Sequence, residues 1–232
     1  MDKLNHFIAF CKKLQPQNRE DIERFFEGVV FFPYDNELLL QAFLFLNTSS
    51  YFPFCTDLLL FEKSPNGENT DQGKCDFVYL TRDHRIALIE TKFIDTENTG
   101  PTERRRRTEH RKKVFEQVTN LRQGFSDTWS IPTKLIDCYV FTTEDLRHRD
   151  EATTIEAKYI PIRGLKKWQE EMKSVLQSEV SIPSKVVFDE NGGLGLGEID
   201  KVWMNYYICD ICSHPEICTA SKMCYFDLAG GY

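Results

Sequence analysis

Several features are missing from this sequence, and each absence closes a class of function. No stretch of eighteen apolar residues is free of charge, so no segment reads as a membrane span. The N-terminus, Met1-Asp2-Lys3-Leu4-Asn5-His6, runs into a short amphipathic segment with Lys12 and Lys13. It shows neither the long apolar region nor the small-residue cleavage site of a signal peptide. A Walker-type glycine loop is absent, and the glycine-dense run 192–197 has no strand–helix context, so it reads as a loop. His6, His84, His110, His148 and His214 show no triad-like setting and are expected on the surface or in loops. Internal repeats and low-complexity linkers are absent too.

An excess of positive charge is also lacking. The net charge of −7 argues against a protein that coats nucleic acid, but is neutral about an enzyme that needs only a local basic patch. What is present suits one large domain, or one domain with a small appendage, in 232 residues. Hydrophobic residues make up 41% of the chain and include 18 Phe, enough for a substantial core. Eight cysteines stand at 11, 55, 75, 138, 209, 212, 218 and 224. Without a secretory signal they read as reduced thiols, apart from the last four. The expected location is intracellular and cytoplasmic, with a nuclear location open for a eukaryotic chain.

Residues 3–14 and 18–28 predict two short helices separated by Pro16, and Asp35 or Asn36 caps a third over Glu37–Leu46. That third helix is apolar on nearly every side, which predicts burial. Strands follow at Asp57–Glu62, Asp76–Leu80 and Ile86–Phe93, then a long helix from about Thr102 to Gln123. Leu135–Thr142 is a strand and Leu165–Gln177 a helix. The pattern is α/β: a small mixed sheet flanked by helices, with a cysteine-rich C-terminal appendage.

The informative segment is the acidic hairpin. Side chains alternate along a strand, so Glu90 and Lys92 share a face with Ile86 and Leu88. A three-residue loop, Arg82-Asp83-His84, sets Asp76 opposite Glu90; a two-residue loop sets Asp76 opposite Ile89 and separates the carboxylates. Facing carboxylates repel unless a cation lies between them, and oxygen-rich sites of this kind suit Mg²⁺ or Mn²⁺. Read blandly, Glu90 and Lys92 are a surface pair. Yet they interrupt an apolar run of Ile86, Ala87, Leu88, Ile89, Phe93 and Ile94, where charge is costly unless paired or metal-bound.

This arrangement resembles the PD-(D/E)XK superfamily, which includes many restriction enzymes, recombination exonucleases and resolvases. There an Asp opens the second core strand and (D/E)-x-K lies on the third, positions matched by Asp76, Glu90 and Lys92, with Cys75 where the family has a weakly kept Pro. The resemblance spans roughly residues 35–145. It implies a restriction-endonuclease-like fold and a Mg²⁺- or Mn²⁺-dependent deoxyribonuclease. Asp76 and Glu90 would hold the metal with the Thr91 carbonyl, and Lys92 would assist the attacking water. It also implies that Glu37 completes the metal shell, although a first-turn acidic residue favoured by the helix dipole explains Glu37 equally well. Gln117 in Gln117-Val-Thr-Asn-Leu121 matches the Gln of the family's Q-x-x-x-Y but lacks its Tyr.

Seven cations fill the ten positions from Arg104 to Lys113. Arg104, Arg107, Arg111 and Lys112 are candidates for nucleic-acid binding, against a solvated face paired internally through Glu103 and Glu109. Near the C-terminus, Cys209, Cys212, Cys218 and Cys224 form C-x₂-C-x₅-C-x₅-C, a ligand pattern for Zn²⁺. The first three also resemble the iron–sulfur staple of exonucleases in the superfamily, with Cys11 as fourth ligand of a 4Fe–4S cluster. Zinc, cluster and free thiols all stay open. The division expected is a helical segment 1–34, a nuclease core 35–180 and a cysteine-rich metal-binding segment 181–232. The partner expected is DNA, with RNA not separated from it and no membrane; a homodimer or membership of a larger complex is compatible. The rival reading is an inactive nuclease-like module that binds nucleic acid without cutting it.

Overall fold

The computed structural model describes residues 3–14, 19–31, 33, 35–65, 73–146 and 155–179. The C-terminal cysteine segment lies outside them. Helices α1 (Lys3–Leu14), α2 (Arg19–Phe31), α3 (Asn36–Leu46) and the single turn α4 (Thr48–Tyr51) precede three strands, β1 (Cys55–Lys63), β2 (Cys75–Thr81) and β3 (Ile86–Lys92). Then come α5 (Pro101–Trp129), β4 (Ile136–Thr142), β5 (Glu156–Tyr159) and α6 (Ile162–Glu179).

The strands form one sheet in the order β1-β2-β3-β4-β5. The first three are antiparallel, and β4 and β5 continue parallel to β3. The long helix α5 supplies the crossover that a parallel β3–β4 pair requires. Two register shifts bend β1 against β2, between Cys55 and Asp57 and between Leu58 and Leu60.

Alternation along the strands feeds two cores. Val78, Leu88 and Val140 pack with Leu4, Phe7 and Cys11 of α1 and with Val114, Val118, Leu121 and Phe125 of α5. Phe77, Ala87, Ile89 and Phe141 pack with Phe26 of α2, Leu40 and Phe43 of α3, and Leu165 of α6. The sheet therefore has helices on both faces, as the α/β pattern predicts. Both N-terminal helices belong to its cores, one on each side.

Local chemistry fixes the elements that matter for the site. Asp35 caps α3, its Oδ1 accepting the Leu38 N–H at 2.7 Å. The helix is buried from Leu39 through Phe45, as its all-round apolarity predicts. Between β2 and β3, Thr81 N donates to Arg85 O at 2.9 Å and His84 N to Thr81 O at 3.0 Å. His84 has φ 54°, so the loop is a three-residue turn closed by a left-handed residue. The ladder pairs Phe77 with Ile89 and Leu80 with Ile86. Extended by one step, the same register sets Asp76 opposite Glu90.

One boundary and two whole elements depart furthest from the expectations above. Helix α5 continues past Gln123 to Trp129 because Phe125 and Trp129 prolong its apolar stripe across Gly124. Strand β5 was not expected: Glu-Ala-Lys-Tyr offers one buried apolar residue, Ala157, and is recruited by pairing with β4. The single turn α4 was not expected either; its Thr48 hydroxyl donates to the Leu44 carbonyl at 2.8 Å.

Candidate active site

Asp76 is the second residue of β2 and Glu90 sits near the end of β3. At this end of the hairpin, side chains replace backbone rungs. Asp76 N donates to Glu90 Oε1 at 3.2 Å. Asp76 Oδ2 accepts from Thr91 N at 2.6 Å and from Thr91 Oγ1 at 2.5 Å. Glu90 is only 3% exposed. The hairpin thus binds its two carboxylates to each other's strands and withdraws them from water, with no arginine or lysine among the hydrogen-bond donors to either.

The electrostatic result is large. Burial above all, then Glu62 and Glu37 nearby, push Asp76 up to about 7, against the opposing pull of its two Thr91 hydrogen bonds. Glu90 is held well above the ordinary carboxylate range by burial and then by Asp76. Cys75, fully buried beside them, is likewise raised well above the ordinary thiol value, first by burial and then by Glu90. Its Sγ donates to the Phe77 carbonyl at 3.3 Å, so here it is a small packed residue with a satisfied thiol.

Lys92 lies two residues on. Its ammonium donates to both oxygens of Glu37, at 2.7 and 2.8 Å. The first turn of α3 is therefore brought onto the acidic hairpin, and Glu37, Asp76, Glu90 and Lys92 form one constellation. Gln117 is half-buried on α5 and makes no hydrogen bond to any of them. Of the cationic candidates, Arg111 is held by Glu144 through two bonds of 2.7 Å. Arg107 donates to the carbonyls of Asp95 and Asn98, Lys112 lies 3.5 Å from Glu116, and Arg104 is exposed. Cys11 is buried in the α1 core and its thiol is pushed up to about 12, first by burial.

Three further residues belong here that the sequence reading did not select. Glu62, at the end of β1, accepts from the buried Gln41 amide at 2.9 Å, one helical turn beyond Glu37. Its φ of 52° is left-handed, a conformation that costs a side-chain-bearing residue roughly 1–3 kcal/mol. His110, expected on the surface or in a loop, lies half-buried on α5. Burial first, then Lys92 and Arg106, hold its imidazole below the ordinary value, against Glu37 and a hydrogen bond to the Phe93 carbonyl. Glu62 carried a signal: it closes the apolar run Leu58–Phe61 as Glu90 closes Ile86–Ile89.

Asp76 and Glu90 fit a divalent cation by their chemistry. They are hard oxygen donors, Glu90 buried and Asp76 half-buried, and an ion between them would supply what burial and repulsion withhold. Among the described residues, no group of three or more acidic, imidazole or thiol side chains is disposed to hold a metal ion. A cavity of about 290 Å³ among Phe45, Thr48, Cys55, Thr56 and Tyr79 shares no residue with the constellation. Comparisons with protein-family models, with curated proteins and with solved structures find no match. Among the described residues, no helix is long and apolar enough to cross a membrane.

Proposed function

We propose that the chain is a metal-dependent deoxyribonuclease of the PD-(D/E)XK type, with a restriction-endonuclease-like core. The observation that carries this reading is the Asp76–Glu90 pair, Glu90 buried and Asp76 half-buried, facing across a three-residue hairpin with Lys92 two residues on. Asp76 and Glu90 would hold Mg²⁺ or Mn²⁺ with the Thr91 carbonyl, and Glu37 would join them on release from Lys92. The ion would supply polarisation of a phosphodiester and acidify water at the site. Thr91 fixes the Asp76 carboxylate through two hydrogen bonds, so that ligand is oriented before anything binds. Lys92, set free, would orient the attacking water and offset charge developing on the phosphate.

Cleavage of single- and double-stranded DNA with Mg²⁺ or Mn²⁺ is the direct test. Wild-type protein is expected to cut, and Asp76→Ala and Lys92→Ala to lose at least about 100-fold in rate. Activity that survives both substitutions removes these residues from the mechanism.

The Lys92–Glu37 clasp favours a second reading, in which the chain is a subunit whose cleavage is gated by a partner. Silence of the isolated protein, with activity regained in the complex, separates it from the first. For the C-terminal cysteines we propose a Zn²⁺ site, since Cys209, Cys212, Cys218 and Cys224 are a complete local set and Cys11 is sequestered in the core. An absorption band near roughly 400 nm would replace zinc by an iron–sulfur cluster.

A further inference from the structure

Helix α5 sorts its cations by direction. Arg105 pairs with Glu109 and Lys112 with Glu116 at i,i+4, on the side turned to solvent. Arg111 points to Glu144 and Arg107 to backbone carbonyls of the 95–98 loop. Among the described residues that leaves Arg104, Arg106 and Lys113 without a carboxylate partner. Arg106, His110, Lys113 and Gln117 are spaced four, three and four apart, so they occupy one flank of the helix.

His110 fixes where that flank lies. It lies near Lys92, on the helix that packs against β3, while one turn earlier Arg107 donates to the Asp95 carbonyl at 3.1 Å. The flank begins at the catalytic hairpin, with Arg106 and Lys113 both exposed upon it. From Arg106 to Gln117 it runs about 16 Å at 1.5 Å per residue, long enough for several successive phosphates of one strand.

We propose that Arg106, Lys113 and Gln117 form a rail that binds the sugar–phosphate backbone of the DNA strand passing the catalytic hairpin, with His110 as the residue that positions it. This rests on the nuclease reading and names the surface that reading needs. The paired cations on the solvent side contribute little, because their carboxylates already neutralise them.

The test is fluorescence anisotropy of a labelled 12-nucleotide single-stranded DNA on the full chain in EDTA, over a range of salt. Arg106→Gln/Lys113→Gln should raise Kd about tenfold and flatten the log–log salt dependence by about 1.4, the counterion release of two single-strand contacts. The charge-matched control, Arg105→Gln with Lys167→Gln on α6, where Lys167 lies 3.4 Å from Glu171, should stay within about twofold of wild type with an unchanged slope. Thermal melting of both doubles should match wild type. Equal losses in the two doubles, or none in either, overturn the rail, and tighter binding of a 12-nucleotide RNA overturns the assignment to DNA. Metal-dependent cleavage by wild type together with equal losses removes the rail alone. A wild type that binds without cutting removes the nuclease reading and leaves the rail, whereas one that does neither removes both.

Discussion

The two ends of β3 treat carboxylates in opposite ways. At the start, Asp137 of β4 receives Arg85 through two hydrogen bonds, one of 2.6 Å from Nε, with both side chains about one-third exposed. At the finish, buried Glu90 and half-buried Asp76 receive hydrogen bonds from backbone and from Thr91, without a cationic donor among the described residues. The same sheet can furnish an arginine for an acid, and it does so where the acid only joins two strands. Where two acids are brought together, no such partner is provided. A fold that needed this end only for stability would lose nothing by placing amides or apolar residues there. The difference teaches that one sheet handles its acids in two ways, and the proposed metal site is the reading that gives the second pair a use.

Three experiments press on that contrast. The largest effect is expected from Glu90→Gln, which keeps shape and removes charge. Metal-dependent cleavage should fall at least about 100-fold, while the metal-free protein gains roughly 1–2 kcal/mol, a few degrees in melting temperature. A lower melting temperature would show that the carboxylate stabilises the fold, as Asp137 does.

Next is pH. Asp76 is raised in the folded protein to about 7, from an ordinary 3.8, so between those values the folded state binds more protons than the unfolded one. Its contribution is fully present below the ordinary value and lost as pH rises through about 7. In EDTA the urea midpoint should therefore drop between about pH 5 and pH 7.5, and Mg²⁺ should restore part of the loss at the upper end. A midpoint that climbs over this interval contradicts the sign. The smallest effect belongs to the other end: Asp137→Ala should cost at most about 1 kcal/mol in denaturant titration and leave cleavage unchanged.

How much of this was legible in the sequence depends on range. The hairpin was legible because strand alternation and an odd loop are local facts: Arg82–His84 alone sets Asp76 opposite Glu90. The burial of α3 was legible for the same reason, since its apolar residues surround it. Glu62 was harder, because its place beside Asp76 depends on the β1–β2 register and on Gln41 of α3 meeting it across the core. His110 looked like one more polar residue in a charged run, and only the packing of α5 against β3 brings it to Phe93. The cation run itself could be counted in sequence, but not sorted. Which arginine meets Glu144, and which meets a carbonyl, is decided by residues more than thirty positions away or in a loop.

The register shifts in β1 bear on how copies of this chain could meet. An open sheet has two free edges, and a straight edge invites a strand from a neighbour. Here one edge is β1, bent twice and ending in Glu62 and Lys63, and the other is β5, four residues long with Lys158 within it. Neither offers a long flat template, so the sheet is guarded against extension and against edge-to-edge aggregation. Among the described residues, self-association is therefore better served by helix surfaces than by the sheet edges.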